Sequence, residues 1–289
     1  MEVMRVAVIG GDRRAALLAE LLLREGHQVR SFALEKAALP AEIPRDSCLQ
    51  SCVYGADCVL LPVPAEKGAL LNAPLSNESL SLESLWASLW PGQLVIGGGF
   101  GEESVAAAVR EKLVPVDLLR RPGFVTGNAA LTAEAAVGLL LREGEQGLNG
   151  RRCLLLGYGR IGKLLAHKLR ALGARVTVAA RKEADRALAE ALGCESLPLD
   201  AVEGQIGDFA YTINTVPARV LSDAALCCIA PESLLVELAS PPGGFDKTLA
   251  RNIGLHVVLA PGLPGRCLPL AAAELMRRTV YEILHEQTE

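Results

Sequence analysis

Aromatic side chains are scarce: Phe, Trp and Tyr make up 4% of the 289 residues. A stacking platform for nucleic-acid bases is thereby excluded. Surplus positive charge is also missing. Lys+Arg 29 against Asp+Glu 33 leaves a formal net charge of -4, so there is no basic footprint for phosphate backbones. The eight cysteines, Cys48, Cys52, Cys58, Cys153, Cys194, Cys227, Cys228 and Cys267, form no C-x-x-C pair. His27, His167, His256 and His285 lie scattered away from them, so the ligand spacing of a zinc site is lacking. The expectation is reduced, mostly buried thiols in a cytoplasmic protein with no metal. No window approaches the ~18 uninterrupted apolar residues of a membrane span. The short apolar run ending at Gly10 reads as a buried first strand, not as a signal peptide.

What is present is aliphatic. Hydrophobic residues reach 51%, mostly Ala, Leu and Val, the filling of helix-covered parallel sheets. At roughly 150 residues per domain the length suggests about two domains. Short apolar runs alternate with helical stretches in two successive series. The first has strands at 5–9, 27–32, 58–61, 93–96 and 113–116, and a helix at 13–24; segment 62–84 reads as a loop. A helix from about Ala129 to Glu145, with Asn128 as its N-cap, leads to the second series. That series has strands at 152–156, 175–179, 209–213, 234–238 and 257–259, with helices between them and an amphipathic helix at about 271–285. The expected fold is α/β: two Rossmann-like doubly wound parallel-sheet domains facing a cleft. The boundary falls between 1–127, for substrate, and 128–289, for a dinucleotide, with the last helix packing back on the first domain.

The strongest chemical signal is Gly157-Tyr158-Gly159-Arg160-Ile161-Gly162, which follows an apolar strand and opens a helix. In this context Gly157 makes the tight turn, Gly159 lets backbone approach a pyrophosphate, and Gly162 lets helix and strand pack closely. An acidic residue for a ribose 2′-hydroxyl is expected at the end of the next strand, but Ala179-Ala180-Arg181-Lys182 stands there. A guanidinium and an ammonium in that place favour NADP over NAD. Asn214-Thr215-Val216-Pro217, the stretch from Ala239-Ser240 to Asp246, and Ala260 to Gly265 sit at the same carboxyl edge. By contrast, Gly10-Gly11 offers no third glycine, so the first domain is read as a degenerate, substrate-binding version.

These residues resemble the A-type subunit family of dipicolinate synthase. The resemblance rests on Val8 to Arg13, Leu131 to Ala136, the glycine loop, Gly173 to Arg181, Ile213 to Pro217, Glu237 to Gly244 and Leu259 to Gly265. The chain departs from the family at Ala133-Glu-Ala-Ala136 and at Leu268-Pro-Leu-Ala-Ala-Ala273, which lacks the family's Lys and Thr. The resemblance implies oxidation of a dihydropyridine dicarboxylate to dipicolinate with NADP, in spore formation. It also implies a partner, the flavoprotein-like B-type subunit.

That chemistry needs a means of holding two carboxylates and one weak base. Arg13 and the amides after Gly10-Gly11 are candidates for the clamp. Asn128, Thr132 and Glu134 begin the helix expected to cross the cleft; Glu134 stands out as a carboxylate in an apolar helix. Asp12 reads as an N-cap. Two other functions fit the residues: an NADP-linked dehydrogenase for another small acid or amino acid, and a cofactor-binding subunit without chemistry of its own. A homo-oligomer is compatible with each of them.

Overall fold

The structure is a computed structural model and describes residues 3–287. The chain divides into two compact units, Met1–Asn128 with Leu268–Glu289, and Ala129–Cys267. Each is an α/β unit built on one parallel sheet.

The first unit runs β1 (Arg5–Ile9), α1 (Arg13–Arg24), β2 (Gln28–Phe32), α2 (Leu49–Val53) and β3 (Cys58–Leu60). It continues with β4 (Glu66–Lys67), β5 (Leu70–Leu71), α3 (Leu82–Ala87), β6 (Leu94–Gly97), α4 (Glu102–Arg110) and β7 (Val116–Asp117). The strand order is β2-β1-β3-β6-β7, all parallel. Val6, Ala7, Val8 and Ile9 are all buried, because helices cover both faces of such a sheet. Segment 62–84, expected as a loop, holds the β4–β5 antiparallel hairpin and the start of α3. Its two-residue strands are too short to show a period in sequence. The strand expected at 113–116 pairs only at Val116–Asp117, since Pro115 has no N–H to give a ladder. The C-terminal helix Pro269–Glu286 packs against α1.

Helix α5 (Pro122–Glu143) starts seven residues earlier than the sequence suggests. Pro122 suits a first turn, where its fixed φ helps and its missing N–H costs nothing. Asn128 is therefore inside the helix and is not its N-cap. By length and composition α5 could cross a membrane, but Ala129, Ala133, Ala136 and Leu140 are buried in the fold.

The second unit runs β8 (Arg152–Leu156), α6 (Arg160–Ala171), β9 (Arg175–Ala179), α7 (Glu183–Ala191), β10 (Glu195–Leu197) and β11 (Tyr211–Asn214). Then come α8 (Asp223–Cys227), β12 (Leu234–Glu237), α9 (Lys247–Asn252), β13 (His256–Leu259) and α10 (Leu263–Cys267). Its sheet order is β10-β9-β8-β11-β12-β13. Counted within the unit this is 3-2-1-4-5-6, the dinucleotide-binding order, with its switch point between β8 and β11. Cys153 to Leu156 on the central strand are completely buried. Half the cysteines depart from the expectation of burial: Cys48, Cys227, Cys228 and Cys267 are exposed, each at or beyond a helix terminus.

Candidate functional site

The glycine loop lies at the carboxyl end of β8, on the switch point. Gly157 adopts φ +93, a left-handed turn that costs a side-chain-bearing residue strain, and its N–H donates to the Ala179 carbonyl at 2.9 Å. A Cβ on Gly157 would sit 2.6 Å from the Val216 side chain and 2.7 Å from Thr215 Oγ1. One on Gly162 would overlap the Gly157 carbonyl oxygen, so α6 and β8 approach as closely as backbone allows. Around Gly159, beyond the residue itself and its two chain neighbours, no atom lies within 4 Å of the place a Cβ would take. No side chain caps α6, so its first N–H groups face that space. These features fit a pyrophosphate.

Beside the loop opens a cleft of about 510 Å³, lined among others by Tyr158, Arg181, Lys182, Val216 and Arg219. Burial pushes the Tyr158 phenol above its ordinary value, and the Lys163 ammonium lies 5.6 Å from its ring centre. Ala180 is buried at the end of β9, whereas Arg181 and Lys182 are exposed at the mouth of the cleft. Arg186 donates to the Ala180 and Arg181 carbonyls at 3.0 Å each and so fixes that turn. Sequence reading missed Arg186, a helix residue without a motif, and Arg219, which follows Pro217 by two positions.

The turn after β11 is pinned from several sides. Thr215 N–H and Oγ1 both donate to the Leu156 carbonyl, at 3.0 and 2.9 Å. Asn214, fully buried, accepts from Val216 N–H at 3.1 Å and donates to the Val216 carbonyl at 2.9 Å. Its amide also donates to Glu237 Oε1 at 2.7 Å, inside the unit. Ala239 is buried and Ser240 exposed, where the next loop begins. Pro217 is exposed at the tip of its turn. The structure thus brings the expected cofactor residues to one sheet edge.

The other expected residues divide. On α5, Asn128 and Thr132 are one turn apart and share a face, with Thr132 buried. Glu134 points elsewhere: its side chain is 61% exposed and its carboxylate lies 4.0 Å from the Lys168 ammonium, so it sits on an exposed turn of the apolar helix. In the first unit, Asp12 caps α1 by accepting from Arg14 N–H at 2.9 Å. Asp12 also holds the Arg14 guanidinium, which reaches the Val63 carbonyl at 2.6 Å. Arg13 is exposed and, among the described residues, makes no side-chain hydrogen bond or ion pair. The Gly10 and Gly11 amides are spent on the Phe32 and Asn72 carbonyls.

Comparison with known proteins agrees with this geometry. Residues 5–119 match the N-terminal domain of the A-type dipicolinate synthase subunit, and residues 138–209 match the NAD binding domain of D-isomer specific 2-hydroxyacid dehydrogenases. The A-type dipicolinate synthase subunit of Bacillus subtilis is 29% identical, with 98% of this chain and 96% of the relative covered. The crystal structure of its counterpart from Bacillus halodurans superposes with a TM-score of 0.86 at 25% identity, over 97% of both chains. That from Bacillus subtilis gives 0.84 at 26%, over 99% of this chain and 97% of the other. The second unit is a nicotinamide-dinucleotide domain of the oxidoreductase kind. The chain is thus similar to the A-type dipicolinate synthase subunit in its N-terminal domain and, in sequence and fold, along nearly its full length.

Proposed function

We propose that this chain uses NADP to oxidise a dihydrodipicolinate-type cyclic dicarboxylate to pyridine-2,6-dicarboxylate, together with a B-type subunit. The observation that carries the reading is the near full-length match to the A-type dipicolinate synthase subunit. For the cofactor, support comes from Arg181 and Lys182 on the cleft beside the glycine loop, with no carboxylate at the end of β9. When bound, NADP supplies the hydride acceptor.

The chain's own groups do the rest. The start of α6 and the glycine loop hold the pyrophosphate, Arg181 and Lys182 the 2′-phosphate, and the turns at 214–217 and 239–240 support the nicotinamide end. Arg13 has a guanidinium available for a substrate carboxylate. Asn128 and Thr132, on one face of α5, offer hydrogen bonds to the substrate. Glu134 is left to its ion pair with Lys168.

The test is direct. Purified chain is mixed with NADP and freshly generated dihydrodipicolinate, with and without the B-type subunit, and the ultraviolet bands of dipicolinate are followed. Product is expected; none in either mixture would overturn the reading. A second reading, an NADP-linked dehydrogenase for another small acid, is favoured by Leu268 to Ala273, where the family's Lys and Thr are missing.

A further inference from the structure

Glu237 ends β12 and is 1% exposed. Burying a carboxylate is costly unless hydrogen bonds replace its water. Three donors do so here. Oε1 accepts from Asn214 Nδ2 at 2.7 Å and from Ala239 N–H at 3.0 Å, and Oε2 accepts from Gly244 N–H at 2.7 Å. The loop after β12 therefore folds back over its own strand end. This explains the Gly243-Gly244 pair: a Cβ on Gly243 would sit 2.7 Å from Oε2, and one on Gly244 would overlap the Asn214 amide.

The same carboxylate reaches further. Asn214 fixes both the N–H and the carbonyl of Val216, and Val216 and Thr215 pack on Gly157 at the turn of the phosphate loop. A chain of short contacts thus runs from the 239–244 loop through Glu237 and Asn214 to the glycine turn. The cleft also includes Val216 and Gly157 on its wall.

We infer that Glu237 is a positioning residue: through Asn214 it locks the 214–217 turn against the glycine loop and so sets the dinucleotide site. The inference rests on the nicotinamide-dinucleotide reading of this unit. It goes beyond that reading in assigning a buried acid, which touches no cofactor group itself, control over affinity. A carboxylate is required because all three partners are donors; a glutamine would turn a donor toward one of them.

The test is fluorescence titration of NADPH into wild-type protein, Glu237→Gln and Asn214→Ala, with the melting temperature of each recorded. Asn214→Ala is the second variant because it leaves both backbone bonds of Glu237 in place and removes only the link. Each variant is expected to bind NADPH at least about tenfold more weakly at temperatures where it is fully folded, on the scale of a lost hydrogen bond to a charged group. The double variant should lose no more than the worse single one, since both break one link. A lowered melting temperature with unchanged affinity of the folded protein, or additive losses in the double variant, would overturn the inference. Failure of the wild type to bind NADPH would overturn the cofactor reading itself, a different result from wild-type binding that the variants share.

Discussion

Gly162 and Gly157 approach so closely that a methyl group on Gly162 would overlap the Gly157 carbonyl oxygen. The contact is backbone against backbone, so no flexible side chain can move aside. It fixes the distance between the first turn of α6 and the end of β8, where the proposed dinucleotide would place its pyrophosphate.

Gly162→Ala should therefore cost both stability and cofactor. Overpacking of this kind typically costs about 1–3 kcal/mol. Because the strain falls on the glycine turn, NADPH affinity should drop in the protein that remains folded. Denaturant melts and a binding titration check the two effects; a variant matching the wild type in both would show that the helix can shift without consequence.

Arg181→Ala addresses the choice of cofactor. Loss of one charge-assisted contact at an exposed site should weaken NADP binding about tenfold and leave NAD binding nearly unchanged. Parallel titrations with the two dinucleotides decide it, and equal losses would count against a 2′-phosphate contact.

In the first unit, Tyr281 joins the C-terminal helix to the end of α1. His27 Nδ1 accepts from Met4 N–H at 3.2 Å, which leaves its Nε2–H to donate to the Tyr281 hydroxyl at 3.0 Å, and that hydroxyl donates to Glu25. Burial and the neighbouring Glu25 carboxylate hold the phenol above its usual value of 10.0. The sign follows: above about pH 10 the unfolded chain gives up this proton while the folded one keeps it, so stability falls as pH rises. Tyr281→Phe should lower stability at neutral pH by about 1–2 kcal/mol and flatten that alkaline decline. Urea melts at pH 8 and pH 10.5 measure both, and an unchanged alkaline slope would falsify the assignment.

The thiols offer a check on burial. Cys48, Cys227, Cys228 and Cys267 should react promptly with a thiol reagent in the native protein. Cys52, Cys58, Cys153 and Cys194 are buried, and desolvation raises the pKa of each, with Cys153 pushed up to about 12. They should react only on unfolding. Peptide mapping after brief labelling identifies which residues were modified; rapid labelling of Cys58 would contradict the packing of β3.

Much of the site was legible in the residues. Gly157, Gly159 and Gly162 are readable because a tight turn, a clear approach and a close packing contact each need glycine, and the strand before them fixes their place. The basic pair at 181–182 was readable because position on β9 follows from the spacing. Whether Glu134 is covered was not readable, since composition of a helix does not tell which of its faces is buried; Lys168, 34 positions away, is what meets it. The hairpin at 66–71 was invisible because each strand is two residues long and its pairing depends on the turn between them.

The sequence by itself determined the alternation of strands and helices, the placing of the glycine loop at the end of a buried strand, and the likeness to A-type dipicolinate synthase subunits. Those features are local: they depend on periodicity and on residues next to one another in the chain. Only the tertiary structure decided that the last helix, expected on the first domain, packs on α1 in particular, that α5 begins at Pro122, and that Glu237 and Asn214 hold one another beneath the 214–217 turn. These depend on partners 23 to more than 250 residues apart in the chain, brought together by burial and hydrogen bonding that no local pattern records.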